Sequence, residues 1–175
     1  MRVIPKPDKS EYPEYAAMYM NLLPDDGLIL KHLADNFQTV RDFIYALPPE
    51  KLLYRYSEDK WTIKEILVHI VDDERIYAYR ALRFARGEKQ SLPGFDQDEY
   101  TKYSGANDRN LDSIFAEYEA VRSATIALYE GLPEDSLLRK GVGSSTYHSA
   151  TVRALAYHIA GHEQRHINII KERYL

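Results

Sequence analysis

Apolar residues recur at helical spacing in four long segments of the chain, and strand-like alternation is nearly absent. We expect helices from about Asp26 to Leu47, from Thr62 to Arg86, from about Asp108 to Glu130 and from about Thr151 to Tyr174. In the first segment the apolar positions are three and four residues apart: Leu30, Leu33, Phe37, Val40, Ile44 and Leu47. Four amphipathic helices of about 20 residues each predict an all-α four-helix bundle.

The second helix has the clearest boundaries. Thr62 is followed three residues later by Glu65, which is the pattern of a capping box. Trp61 and Ile66 are placed to form the hydrophobic staple that often accompanies such a box. Gly87 suits the left-handed conformation that commonly follows the last turn of a helix.

The connections between helices differ in length. The linker from Gly87 to Asn107 is long enough to cross the end of the bundle, which predicts a long crossover between the second and third helices. Residues 132–150 form a polar loop with glycines that could hold a short hairpin. We expect residues 1–25 to form an N-terminal arm that includes a short helix and packs on the bundle.

Length and composition restrict the expected functions. The 175 residues suffice for one core, so we expect a single domain over residues 1–175. Net charge is −4 and the lysines and arginines are scattered, which disfavours nucleic acid as a partner. The chain has no cysteine, so disulfides, thiolate metal sites and a cysteine nucleophile are excluded.

The sequence also bears on location. The opening residues, MRVIPKPDKSEY, lack the apolar region of a secretory signal, and no apolar run approaches the roughly 20 residues of a membrane helix. We therefore expect a cytoplasmic protein without a membrane partner. The 15 tyrosines are expected to pack at the edge of the core, or else to line a substrate pocket.

Three histidines form a candidate metal site. His162 and His166 are four residues apart on the fourth helix, so their imidazoles point the same way, and His69 lies on the second helix. Three such ligands would leave a metal ion open to water or substrate. On a helical projection the bundle interior is nearest to His166, then His162, and farthest from His158. The alternative is a partly exposed, histidine-rich helix.

The two remaining histidines are expected in solvent. His32 lies off the apolar stripe of its helix, and His148 lies in the loop before the fourth helix, from which it could still reach a site beside that helix.

Three charged residues project onto the inner faces of their helices: Glu74, Glu163 and Arg122. Because buried charges need partners, we predict that Arg122 pairs with Glu74, Glu163 or both. Glu163 or Asp73 could instead act as general base or orient an imidazole. His162 to His166 also fits the HExxH pattern of zinc proteases, but the third ligand expected downstream is missing.

Three further segments occur in order: WTIKEILVHIVDDERIYAYRALRFARG, LPGFDQDEY and VRALAYHIAGHEQRHINIIKERYL. Together they resemble the DinB/YfiT-like superfamily of metal-dependent proteins, from about Trp61 onward and more weakly in the first helix. The resemblance implies a four-helix bundle with a long crossover. It also implies a divalent metal, commonly nickel or zinc, held by His69, His162 and His166.

The resemblance implies several activities. Some relatives are thiol-dependent transferases or isomerases that use bacillithiol, mycothiol or glutathione. We therefore expect an enzyme whose metal activates a low-molecular-weight thiol towards a small-molecule substrate. Such a thiol would need cationic neighbours, for which Arg80, Arg83 and Arg153 are candidates. Hydrolysis by metal-activated water is an alternative. A further alternative is a stress-related binding or scaffold protein without catalysis; a homodimer is also compatible with the sequence.

Overall fold

The computed structural model describes residues 1–143 and 149–175. The α-helices in these residues are α1 (Ala17–Met20), α2 (Ile29–Tyr45), α3 (Ile63–Ala85), α4 (Gln97–Lys102), α5 (Leu111–Gly131) and α6 (Val152–Arg173). The long helices α2, α3, α5 and α6 match the four predicted segments to within a few residues. The predicted all-α four-helix bundle is confirmed.

The ends of the long helices are fixed by side chains, as the sequence indicated for the second one. The Thr62 hydroxyl accepts a hydrogen bond from the backbone N–H of Glu65, and the Glu65 carboxylate accepts one from the backbone N–H of Thr62. Gly87 has a φ of 82°, in the left-handed region. Asn110 and Thr151 cap α5 and α6 by accepting bonds from backbone N–H groups three residues ahead.

The core runs between α3 and its neighbours. Helix α3 packs against both α5 and α6, and α2 packs against the same two helices. The apolar stripe predicted for α2 is buried except at its end, where Leu47 is half-buried. Burial of such a stripe supplies most of the stability of a helix in water. None of the helices in residues 1–143 and 149–175 has the length and apolar character needed to cross a membrane.

The crossover between α3 and α5 contains α4, which the sequence analysis did not predict. Asp96 caps α4 by accepting hydrogen bonds from the backbone N–H groups of Asp98 (2.9 Å) and Glu99 (3.1 Å). The segment before it is tied down at two points. Leu92 is buried and its N–H donates to the carbonyl of Val142, and Arg80 on α3 donates to the carbonyl of Pro93. Helix α4 packs on α3.

A short hairpin precedes α6, as the loop composition indicated. Strand β1 (Lys140–Gly141) pairs antiparallel with β2 (Ala150–Thr151), with Lys140 opposite Thr151. A Cβ atom on Gly141 would overlap the ring of Phe84, so glycine is required there. His148, considered above as solvated or as reaching the site, lies outside the described residues.

The N-terminal residues pack along α6. Glu11 accepts a hydrogen bond from Nε of Arg153 at 2.8 Å and another from the Thr151 hydroxyl at 2.8 Å. Helix α1 contacts α6 where Gly161 has no side chain, and a Cβ there would lie 2.5 Å from the carbonyl oxygen of Tyr19. The arm therefore covers the face of α6 that also carries the candidate histidines.

Candidate metal centre

Three imidazoles from two helices meet beside the core. His69 lies on α3, and His162 and His166 lie one turn apart on α6. The Nε2 atom of His162 is 3.0 Å from that of His69 and 3.1 Å from that of His166. One ring nitrogen from each residue lies within 4.8 Å of the other two. The structure thus brings together the three histidines that the sequence proposed as ligands.

A buried carboxylate lies beside the central imidazole. Asp73 follows His69 by one turn on α3 and is buried. Its Oδ2 atom is 3.4 Å from Nδ1 of His162 and 3.4 Å from Nε2 of His158. A proton on Nδ1 of His162 would be attracted to this carboxylate, and the Nε2 lone pair would then be directed at the other two imidazoles.

Burial keeps the three imidazoles neutral. Desolvation lowers the pKa of His69, lowers that of His162 well below its ordinary value, and lowers that of His166 to about 3. Burial also acts to raise the pKa of Asp73, but the attraction of His162 and His158 outweighs it and holds this pKa below its usual range. Neutral imidazole beside an ionised carboxylate is the state in which histidine binds metal.

Two of the three separations between these nitrogens match those of ligands that share one metal ion. At a metal–nitrogen distance of about 2.0–2.1 Å, two ligands are separated by about 3.3 Å in a tetrahedral site and by about 2.9 Å in an octahedral one. The two short Nε2 separations, 3.0 and 3.1 Å, lie between these values. An all-imidazole donor set suits zinc, nickel, copper or iron. Three protein ligands leave further positions of the ion open.

The predicted order of burial on α6 was wrong. His166 was expected deepest and His158 least buried, whereas His158 is 2% exposed, His162 is 4% exposed and His166 is half-buried. The His158 ring stacks on Tyr77 with centroids 3.7 Å apart. The projection counted only the bundle core as interior, but the N-terminal arm covers the His158 side of α6.

Glu163 belongs to a buried ion-pair network. Arg122 donates to Glu74, at 2.9–3.1 Å, and to Glu163, which confirms the predicted pairing and shows that it involves both carboxylates. The Tyr118 hydroxyl also donates to Glu163, and Arg122 reaches the carbonyl of Leu33 on α2. Desolvation raises the pKa of Glu74 despite its pairing with Arg122. The Glu163 carboxylate is therefore engaged with α5, and Asp73 is the acidic residue that contacts the histidines.

Two cavities flank the histidine cluster. The first, of about 830 Å³, is lined by Tyr15, Tyr19, Asp73, Tyr77, Pro93, Gly94, Phe95, Asp96, Gln97, His158 and His162. The second, of about 460 Å³, is lined by Tyr56, Asp59, Lys60, Trp61, Ile66, Asp98, His166, Ile169 and Tyr174. Both have aromatic and acidic walls. Neither lysine nor arginine is among the described residues that line the first.

Two of the three arginines proposed as anion-binding neighbours pair with acidic residues, and the third, Arg80, contacts residues that line the first cavity. Arg83 pairs with Glu88 and Arg153 pairs with Glu11. Arg80 is buried behind the first cavity, where it lies over the Tyr77 ring at 4.8 Å from its centroid.

A family model described as the DinB superfamily matches residues 32–170, which include all three histidines. The chain belongs to the DinB superfamily. The matched region runs from α2 to the last turn of α6, so it contains the four long helices and the crossover.

Two individual proteins extend this comparison. This DinB-superfamily chain is 26% identical to a protein of Oceanobacillus iheyensis named "Putative metal-dependent hydrolase", over 81% of each chain. Its fold is similar to that of YfiT from Bacillus subtilis, with a TM-score of 0.76 and 15% identity, over 97% of this chain and 91% of YfiT. YfiT is described as "a probable metal-dependent hydrolase with an unusual four-helix bundle topology".

Sequence reasoning missed the residues that shape the cavities of this DinB-superfamily protein. Asp96, Gln97 and Asp98 reach the two cavities from the start of α4, a helix too short to show an apolar stripe. Two signals were available in the sequence: the excess of tyrosine, since Tyr15, Tyr19 and Tyr77 line the first cavity, and the segment LPGFDQDEY, which supplies residues to both cavities.

Proposed function

We propose that this protein is a metal-dependent hydrolase of a small, uncharged or cationic substrate. His69, His162 and His166 would hold a divalent cation, with nickel and zinc the first candidates, and the substrate would enter the first cavity. The observation that carries the proposal is the convergence of three neutral imidazoles beside a cavity with acidic and aromatic walls. The names given to the Oceanobacillus protein and to YfiT support the same reaction class.

Residues beside the metal ligands would have separate roles in the reaction. A divalent cation at such a site acts as a Lewis acid and lowers the pKa of water towards about 7. Asp73 would position His162 through its Nδ1–H and keep its Nε2 available. The Tyr19 ring lies 5.6 Å from that of His162 and would form the wall against which a substrate packs.

The charge of the residues that line the first cavity favours hydrolysis over thiol transfer. A thiol cosubstrate such as glutathione carries carboxylates, which require cationic partners. Asp73 and Asp96 line the cavity instead, and the acidic partners of Arg83 and Arg153 leave these two arginines neutralised. Thiol activation, the expectation from the resemblance, is therefore the second candidate, and it would use the same three histidines.

The test uses protein purified without an affinity tag, stripped with a chelator and reloaded with Zn²⁺ or Ni²⁺. Neutral, cationic and anionic 4-nitrophenyl esters and anilides are then assayed, alongside glutathione with an electrophile. We expect metal-dependent hydrolysis of neutral or cationic substrates, which His162→Gln abolishes and the surface variant His32→Gln leaves intact.

Each other outcome has a defined meaning. Turnover only in the presence of glutathione would favour thiol transfer. Hydrolysis that persists without metal or in His162→Gln would contradict the proposal. If the fully metal-loaded protein turned over none of these substrates, the binding or scaffold role would be favoured.

A further inference from the structure

The second cavity adjoins the same metal ligands as the first. His162 lines the first cavity and His166 lines the second, and the Nε2 atoms of these two residues are 3.1 Å apart. A bond that reacts at the histidine cluster would therefore have one space available on each side. The second space, of about 460 Å³, is large enough for a small organic group.

The walls of the second cavity present aromatic rings. Trp61 lies parallel to the His166 ring, with centroids 6.2 Å apart and planes 20° apart, and it also contacts His69 at 4.6 Å. Tyr56 and Tyr174 meet edge to face at 5.1 Å. The Tyr174 hydroxyl donates to the carbonyl of Trp61 at 2.6 Å, which connects the end of α6 to the start of α3. Aromatic faces attract cations through the negative charge of the ring face.

The charged residues of the second cavity leave one carboxylate without an ion-pair partner. Lys60 pairs with Asp59, so these two charges balance. Among the ion pairs of residues 1–143 and 149–175, none includes Asp98. The pKa of Lys60 is raised mainly by its hydrogen bond to Asp59, and Asp98 adds a smaller attraction. One lysine against two aspartates gives the lining a net charge of −1, counting His166 as neutral.

We propose that the second cavity is a subsite for an ammonium group of the substrate, held by Asp98 and by the aromatic rings of Tyr56 and Trp61. This assignment rests on the proposed function in one respect only, namely that the ammonium group belongs to the molecule that is hydrolysed. The substrate class becomes an ester or amide that carries an amine or quaternary ammonium a few bonds from the reacting carbonyl. Asp98 would act as a specificity-determining residue, and α4 as the element that presents it.

The binding test uses the zinc-loaded protein and two probes of nearly equal shape, choline and its neutral isostere 3,3-dimethylbutan-1-ol. Trp61 is the only tryptophan of the chain, so its fluorescence reports on this cavity directly. We expect choline to bind at least about tenfold more tightly than the alcohol, a difference that corresponds to about 1.4 kcal/mol. Asp98→Asn should remove most of this difference, and Tyr56→Leu should reduce it.

The matched control is Glu99→Gln, which removes the neighbouring carboxylate of α4, a residue that lines neither of the two cavities. Its preference for choline should equal that of the wild type. Equal binding of the two probes by the wild type would overturn the proposal, and so would an undiminished choline preference in Asp98→Asn. Asp98→Asn, Tyr56→Leu and Glu99→Gln all change exposed residues, and circular dichroism would verify their folding.

A kinetic comparison separates this subsite from the proposed function. Acetylcholine and 3,3-dimethylbutyl acetate differ only in the charge of the same group. Choline binding that depends on Asp98 without hydrolysis of either ester would support the subsite and contradict the hydrolase. Hydrolysis of both esters at equal kcat/KM would support the hydrolase and contradict the subsite.

Discussion

The Oδ2 atom of Asp73 lies 3.4 Å from Nδ1 of His162, and both side chains are almost fully buried. Asp73 also stands one helical turn beyond His69, so a single face of α3 supplies one imidazole and the carboxylate that lies beside another. Partners of this kind affect metal affinity although they do not touch the ion.

We predict that Asp73→Asn weakens zinc binding by about 10- to 100-fold, because the amide no longer favours the Nδ1–H form of His162. Competition against a chromogenic chelator measures the change. Asp72→Asn is the matched control, since the Asp72 carboxylate lies on the adjacent position and approaches Arg75. Equal affinities in the two variants would mean that Asp73 has no role in orienting the ligand.

Metal binding should stabilise the folded chain. A ligand at 100 times its Kd that binds only the folded state adds about 2.7 kcal/mol to the free energy of unfolding. We expect Zn²⁺ to raise the Tm of the wild type and of His32→Gln, and to leave that of His162→Gln nearly unchanged. Differential scanning calorimetry with and without chelator provides the measurement. A metal-induced shift retained in His162→Gln would place the ion elsewhere.

The buried network around Arg122 should contribute strongly to stability. Arg122→Met leaves the carboxylates of Glu74 and Glu163 buried without their cation, so we expect a loss of about 3–5 kcal/mol in denaturant unfolding. The comparison is Arg75→Met, which removes a half-exposed partner of Glu117 and should cost about 1 kcal/mol or less. A similar cost for both arginines would contradict the role assigned to the network.

Two helical glycines should respond oppositely to alanine. Gly161→Ala places a Cβ 2.5 Å from the carbonyl oxygen of Tyr19, so α1 must shift away from α6 at a cost of about 1–3 kcal/mol. Gly131→Ala meets no atom within 4 Å at the end of α5, and should be neutral or stabilise by up to about 1 kcal/mol. Thermal unfolding of both variants is the measurement. Destabilisation by Gly131→Ala alone would refute this account.

Acid should weaken the attachment of the N-terminal arm. Burial raises the pKa of Glu11, but hydrogen bonds from Arg153, the Asp8 backbone and Thr151 lower it more, to a net value of about 2 against an ordinary 4.5. A carboxyl whose pKa is depressed on folding stabilises the protein above pH 4.5 and loses that contribution as the pH falls towards 2. The loss amounts to at most about 3 kcal/mol, at 1.36 kcal/mol per pKa unit.

The measurement for this acid effect is the free energy of unfolding between pH 5 and pH 2.5. Glu11→Gln should flatten the decline relative to the wild type, whereas Glu14→Gln, at an exposed position of the same arm, should not. Parallel pH profiles for wild type and Glu11→Gln would show that the ion pair with Arg153 contributes little.

The parts of the structure that follow from local periodicity were predictable from the sequence. The apolar stripe of α2 and the capping box of α3 act within a few residues, so their patterns are visible in the chain itself. The pairing of Arg122 was predictable because a charge on an inner helix face requires a partner. The three histidines could be predicted as one site because His162 and His166 point the same way from one helix and His69 lies on another helix of the bundle.

The remaining features depend on contacts between distant segments. The burial of His158 follows from the arm that packs at Gly161, and nothing in the periodicity of α6 indicates that contact. Helix α4 is set by the cap at Asp96 rather than by an apolar stripe. The placement of Asp96 and Asp98 in separate cavities arises from the path of the crossover, which depends on the whole fold.

The candidate ligands come from parts of the chain that are far apart, since 93 positions separate His69 from His162. A cation shared between them would behave as a removable cross-link of the folded state, and its binding free energy would add to the stability of that state. This chain has no cysteine, so it cannot form such a link covalently. Its persistence against proteolysis would then rise and fall with the free concentration of the ion in its surroundings.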